Sequence, residues 1–209
     1  MGQVLLVRHG QASFGSDDYD VLSGLGERQA AVLGRSLAAR GIVPAAVLHG
    51  QMVRQRRTAE LLAEAAGWEP APVCDPDWDE MDHVVVLSRH PEPEGASFQE
   101  WFEAATDRWI AGEHDDYAES FEEFTRRVDE ALDRVLGGDG TVVVVTSGGP
   151  ISWVCTRLLA AGLDSYRRFA RVVANTGVTK VVTGARGTSL VSFNDHSHLE
   201  AEPGLLTYR

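Results

Sequence analysis

Three short apolar runs, each too short for a helix and each ending abruptly in residues that suit an anion, constrain this chain more than any other feature. The first, Gln3-Val4-Leu5-Leu6-Val7, breaks off at Arg8-His9-Gly10 and reads as a buried strand delivering a guanidinium and an imidazole to a loop. The second, Ala45-Ala46-Val47-Leu48-His49, is followed by Arg54, Arg56 and Arg57, after which residues 58–66 continue as a helix. The third, residues 141–146, is β-branched throughout. It enters Ser147-Gly148-Gly149-Pro150 and then an apolar-periodic helix from 151 to about 162. Glycine at that turn and proline at the start of the helix leave N–H groups aimed beyond the strand end. In open α/β sheets, ligands bind just outside such carboxyl ends.

Between these runs the pattern alternates. Ser23 suits the N-cap of a helix reaching about residue 40, where Gly41 stops it. Residues 67–82 are irregular and hold the acidic cluster Asp77-Trp78-Asp79-Glu80-Met81-Asp82-His83, and 84–95 carry no clear period. Two acidic, aromatic-rich helices follow at about 97–112 and 117–136, their rings expected in a core rather than on a ligand. Strands at 178–183 and 189–193 close the chain. With no internal repeat, the expectation is one α/β domain over 1–209, with residues of about 68–136 a helical insertion covering the site.

Charge narrows the partners. The net charge is −12, and residues 61–130 hold 20 of the 31 acidic residues but only 4 of the 19 basic ones. A phosphate site built from the two ends of the chain would be locally basic beneath an acidic neighbour, which disfavours large polyanions. The expected partner is a small phosphorylated substrate, with no nucleic acid and no membrane, and with a homodimer left open. Cys74 and Cys155 have neither paired metal spacing nor a secreted context, so free thiols are expected, without metal or cofactor. No apolar run approaches the ~20 residues a bilayer needs, and no leader-like start is visible, so a cytoplasmic location is expected.

The motifs also agree in order with a known group. Arg8-His9-Gly10, then Asp20-x-Leu22-Ser23-x-x-Gly26-x-x-Gln29-Ala30, Arg54-x-x-x-Thr58-Ala59, Trp78-Asp79-Glu80 and Val144-Val145-Thr146-Ser147-Gly148-Gly149 together resemble the histidine phosphatase superfamily, which includes the phosphoglycerate mutases. The resemblance implies a three-layer α/β/α fold with a mostly parallel central sheet. It also implies His9 as a nucleophile that becomes phosphorylated, with Arg8 and Arg54 clamping phosphate oxygens. Glu80 would be the acid for the leaving oxygen, ahead of its neighbours Asp79 and Asp82. Gln11, Ser13, Ser23, Ser147 and Gly148 would line the substrate. Physically, two arginines beside an imidazole disfavour its cation and keep it nucleophilic.

Departures from the family pattern matter as much. Ser147 stands where the family keeps a second histidine, and a hydroxyl supplies one hydrogen bond but no positive charge. His49, His83, His196 and His198 are the candidates to fill in. Ala12 and Gly15 replace common polar residues. The expected activity is therefore a phosphatase acting on a small phosphomonoester, a histidine-type acid phosphatase whose rate Ser147 could weaken. The alternatives are a mutase-type phosphotransferase and an inactive phosphate-binding homologue. A hydrolase triad of Ser147, Asp195 and His198 would leave Arg8, His9 and Arg54 unexplained.

Overall fold

The computed structural model describes residues 2–13, 20–69, 71–114 and 117–208. Its strands are β1 (Gly2–Arg8), β2 (Ala46–His49), β3 (Val73–Cys74), β4 (Gly140–Thr146), β5 (Val178–Gly184) and β6 (Gly187–Asp195). They form one sheet in the order β3-β2-β4-β1-β5-β6. The first four strands pair in parallel, whereas β5 lies antiparallel to β1, and β6 antiparallel to β5. Parallel pairing brings the carboxyl ends of β1, β2 and β4 to one edge, with Arg8 opposite Thr146 and His49 opposite Val145.

Val4, Leu5, Leu6 and Val7 are all buried, so both faces of β1 are covered, as a parallel sheet requires. On one face Leu5, Val7, Val143 and Val145 pack with Leu33 and Leu37 of α1 (Gly24–Ala39) and Ala59 and Leu62 of α2 (Val53–Ala66). The remaining helices are α3 (His83–Ser88), α4 (Phe98–Ile110), α5 (Phe121–Leu136), α6 (Gly148–Leu158) and α7 (Leu163–Val172). α6 packs against β1 and β6, and α7 against α6.

Several elements differ from the sequence expectation, each for a local reason. α2 begins at Val53 rather than 58, so its arginines lie on its first turns. Its N-terminal cap comes from Asp20, whose Oδ2 accepts the Val53 N–H at 2.8 Å, while Met52 at the N-cap position offers no side-chain bond. α5 starts at Phe121 rather than 117, because Ser120 and Glu123 form reciprocal bonds of 2.8 and 3.2 Å. α7 was not expected at all; it is rich in arginine and buries Tyr166. The 67–82 stretch contains β3 and a 3-10 turn at Pro76–Trp78.

Residues 81–127 form a second compact unit, the first being 1–80 with 128–209. Within that second unit Trp109 is buried edge-on against Phe121 and Phe124, and its Nε1 donates to Glu119 O at 2.8 Å. His90 is buried too, with Nε2 2.8 Å from the Tyr117 hydroxyl. A capping box at Ser97 and Glu100 starts α4.

Candidate active site

β1 delivers His9 to the carboxyl edge of the sheet, 5% exposed, with its N–H donating to Thr146 O at 2.9 Å. Its ring has two neighbours that agree on one tautomer. Nδ1 lies 2.7 Å from the Gly10 carbonyl, which can only accept, so Nδ1 carries the hydrogen. Nε2 lies 3.2 Å from Arg54 Nε, which can only donate, so the lone pair is on Nε2. Burial, then the charge of Arg54, then that of Arg8, hold the His9 pKa well below its ordinary value.

Arg54 is itself 5% exposed and is aimed by Asp20, whose Oδ1 accepts from Nη1 at 2.7 Å. One turn along α2, the Thr58 hydroxyl donates to Arg54 O at 2.7 Å and accepts the Gly10 N–H at 3.0 Å. Gly10 has to be glycine, since a Cβ there would come within 2.5 Å of Gly26 O at the start of α1. Arg8 is placed differently from Arg54. Its Nη1 donates to the carbonyls of Val173 and of Tyr208, the latter at 3.0 Å, so the bond to the imidazole comes from Arg54 while Arg8 acts on it through charge.

Ser147 follows the Thr146 that pairs with Arg8, so it sits beside His9 at the end of the neighbouring strand. It is buried, and its hydroxyl accepts from Gln55 Nε2 at 2.9 Å. Gly148 opens α6 with open space where a Cβ would be. Glu80 is half-buried and lies on the first turn of α6, its Oε2 accepting the Gly149 N–H at 2.9 Å. Burial, reinforced by the Glu80 charge, pushes the Tyr166 phenol of α7 upward. The neighbouring acids point elsewhere. Asp79 Oδ1 accepts the Gln51 N–H at 2.6 Å, and Asp82 caps α3 through Val84 and Val85.

The remaining expected contacts are arranged around the loop after His9. Gln11 donates its N–H to Gln29 Oε1 at 2.9 Å, and its Oε1 accepts from the Ser23 hydroxyl at 3.0 Å. Ser23 caps α1 as expected, accepting the Gly26 N–H at 3.0 Å. The Ser13 N–H donates to Val21 O at 2.8 Å. Gly15 lies outside the described residues.

The candidate replacement histidines are engaged as follows. His49 Nδ1 meets Gly50 O at 2.7 Å, His196 Nδ1 meets Asn194 O at 2.7 Å, and His198 Nε2 meets the Thr176 hydroxyl at 3.1 Å. His83 belongs to the 81–127 unit. With Ser147 bonded to Gln55, His198 to Thr176 and an Asp195 oxygen to Ser197 at 2.7 Å, those three residues form no hydrolase triad.

Sequence reading named Asp20 and Gln29 only as motif positions, without their roles, and missed Gln55 and Asn175. Thr58, named only as part of the Arg54 motif, could have been placed beside Arg54, because four residues on puts it on the same helix face. Asn175, whose Nδ2 donates to the His9 carbonyl at 3.1 Å, carries no local signal. Both cysteines are free: Cys74 is exposed, and burial pushes the Cys155 thiol up to about 12. Among the described residues, no group of three or more His, Cys, Asp or Glu gathers as a metal site would, and no helix is long and apolar enough to cross a membrane.

A buried imidazole with its lone pair on an arginine N–H, at the carboxyl edge of a mostly parallel sheet, has the chemistry to attack an electrophilic centre beside a cation. The chain belongs to the histidine phosphatase superfamily, branch 1, whose sequence profile matches residues 4–196. Among curated proteins it is 28% identical to one named "Probable phosphoglycerate mutase GpmB" from Erwinia tasmaniensis, over 96% of each chain. A protein of the same name from Escherichia coli is 26% identical over 96% of each chain. Among solved structures it resembles Bacillus stearothermophilus YhfR, with a TM-score of 0.73, 22% identity, and coverage of 96% of this chain and 100% of that one. It also resembles an Entamoeba histolytica phosphoserine phosphatase mutant solved with phosphoserine, with a TM-score of 0.71, 20% identity, and coverage of 95% and 100%. The fold is thus a phosphoglycerate mutase-like α/β fold, and members of this family act as phosphatases or mutases.

Proposed function

We propose that this protein is a phosphatase that hydrolyses a small phosphomonoester through a phosphohistidine on His9. The observation that carries the reading is the ring's tautomer: Nδ1–H is given to Gly10 O at 2.7 Å, and the Nε2 lone pair faces a guanidinium N–H at 3.2 Å. In the first displacement the Nε2 pair attacks phosphorus and the ester P–O bond breaks. Its electrons leave on the oxygen, which takes a proton from Glu80. In the second, water attacks phosphorus, the N–P pair returns to Nε2, and the proton of the water passes to the Glu80 carboxylate. Splitting one hard step into two easier ones is what a covalent intermediate achieves. Nδ1–H stays on Gly10 O throughout, so the ring needs no second tautomer.

Arg54 would exchange its bond to Nε2 for one to a phosphoryl oxygen, where charge builds as the bond breaks. Arg8 adds positive charge. Ser147 and Gly148 at the β4–α6 junction, with Gln11, Ser13 and Ser23 around the opposite loop, complete the substrate contacts in this reading. The helical segment of about 68–136 is assigned substrate choice on the strength of its sequence acidity.

Incubation with p-nitrophenyl phosphate tests the reading. The wild type should release nitrophenol and, on quenching, yield an acid-labile, alkali-stable phosphoprotein. His9→Ala should lose both, with turnover down by about a thousand-fold or more; unchanged turnover would overturn the nucleophile assignment. A second reading, a mutase, draws on the names of the curated relatives. Supplying 3-phosphoglycerate separates the two, since isomerised product without inorganic phosphate would favour the mutase. Tight phosphate binding with no turnover across a phosphomonoester panel would instead favour a binding protein, which the Ser147 substitution motivates.

A further inference from the structure

The turn that carries His9 is closed by a ring of hydrogen bonds passing through the C-terminal segment. The Gln11 N–H donates to Gln29 Oε1 at 2.9 Å, and Gln29 Nε2 donates to Thr207 Oγ1 at 2.8 Å. The Thr207 hydroxyl donates in turn to Asn175 Oδ1 at 2.8 Å, and Asn175 Nδ2 donates to the His9 carbonyl at 3.1 Å. These bonds start on the N–H of residue 11 and end on the carbonyl of residue 9. They enclose Gly10, whose own carbonyl holds His9 Nδ1. Every donor points the same way round, the arrangement in which each bond polarises the next.

Neither amide can turn over without breaking the ring, because a backbone N–H only donates and a carbonyl only accepts. Gln29 and Asn175 are both 0% exposed, so water cannot replace a lost partner without entering the interior. The segment is pinned from several sides. Gln29 Nε2 also donates to Leu205 O at 2.6 Å, the Asn175 N–H donates to Thr207 O at 2.9 Å, and Arg8 reaches Tyr208 O at 3.0 Å. Next to Asn175, Thr176 holds a φ of +56°, uncommon for a β-branched residue, while its N–H donates to Arg8 O at 3.0 Å. Strain of that kind persists where the surroundings over-determine it.

We propose that Thr207 is a positioning residue for the reaction at His9. Its hydroxyl, which accepts and donates at once in the middle of the ring, fixes the His9–Gln11 turn and with it the direction of Nε2. The proposal rests on the reading of His9 as the nucleophile. Thr207→Val keeps the shape but removes both bonds, and Thr207→Ser keeps them. With p-nitrophenyl phosphate, Thr207→Val should lose about 10- to 100-fold in kcat, the scale of a small misplacement of a reacting group, with KM changed by less than about three-fold. Thr207→Ser should return to within about three-fold of wild type. Thr188→Val removes a 3.2 Å bond to the Thr183 hydroxyl in the β5–β6 hairpin, and should leave kcat unchanged however much stability it costs.

Should Thr207→Val fail to fold, Gln29→Met breaks the same ring elsewhere and carries the same expectation. If Thr207→Val turns over within two-fold of wild type while His9→Ala is inactive, the positioning role falls and the nucleophile stands. If the wild type turns nothing over, the hydrolase reading falls, and nitrogen-15 shifts of His9 decide the positioning role. A single Nδ1–H tautomer in wild type that becomes mixed in Thr207→Val supports it, and identical spectra overturn it.

Discussion

Two strands of this sheet end in the same dipeptide, His9-Gly10 on β1 and His49-Gly50 on β2, and their imidazoles take the same local pose. Each is 5% exposed, and each sets Nδ1 2.7 Å from the carbonyl of the glycine that follows. The surroundings separate them. His9 receives Arg54 Nε at 3.2 Å and feels the charge of Arg8. His49 lies on the far side of β4 and is level with Val145, the residue paired with Val7, so it stops two residues short of His9. At the usual strand rise that is about 7 Å deeper. Among the described residues no arginine donates to it. The dipeptide sets the tautomer of either ring; the first turn of α2 makes only one of them a candidate nucleophile.

The comparison breaks most sharply in turnover. His9→Gln should abolish hydrolysis of an aryl phosphate by about a thousand-fold or more, whereas His49→Gln should stay within about five-fold of wild type. A loss at His49 as large as that at His9 would make the deeper ring a working part of the site.

Arg54→Met should come next, costing about 10²- to 10³-fold in kcat, as for loss of one preorganised donor to developing charge. It should also move the pH profile. Burial and the two arginines lower the His9 pKa, so the acid limb of kcat/KM in the wild type should lie below pH 6.5. Removing Arg54 takes away the second-largest cause and should shift that limb upward while burial still holds it below the ordinary value. A limb that does not move would detach Arg54 from the ring. Asp20→Asn, which weakens the aim of Arg54 without removing its charge, should cost roughly ten-fold.

The smallest effect is on stability. His9 and His198 both have folded pKa values below 6.5, with His198 lowered to about 4 chiefly by burial. Below pH 6.5 the unfolded chain takes up protons that the folded protein refuses. Stability from these groups is therefore complete above 6.5 and lost as pH falls toward about 4, at up to about 1.4 kcal/mol per pH unit for each ring. Urea midpoints at pH 7 and pH 5 should show the loss, and His9→Gln should reduce it.

Much of this architecture was legible because its signals are local. The runs ending at Arg8, His49 and Thr146 became β1, β2 and β4, and Ser23 caps α1. The same reading missed the start of α2, whose cap comes from Asp20, 33 residues before Val53. It also missed α7, although Leu163, Tyr166, Phe169 and Ala170 recur there at helical spacing among the arginines. The start of α5 was readable in Ser120-x-x-Glu123, a capping signature that the aromatic pattern around Tyr117 obscured.

The sequence by itself determined five of the six sheet strands, the dipeptide that sets the His9 tautomer, and the family. These follow from side-chain period, turn chemistry and short motifs, all of which act over a few neighbouring residues. Only the tertiary structure decided that Arg54, not Arg8, bonds the imidazole, that Glu80 rather than Asp79 lies on α6, and that residues 9, 11, 29, 175 and 207 share one ring. A hydrogen bond has to be satisfied wherever the fold brings its partner, and nothing along the chain between Gln29 and Thr207 records that they will meet.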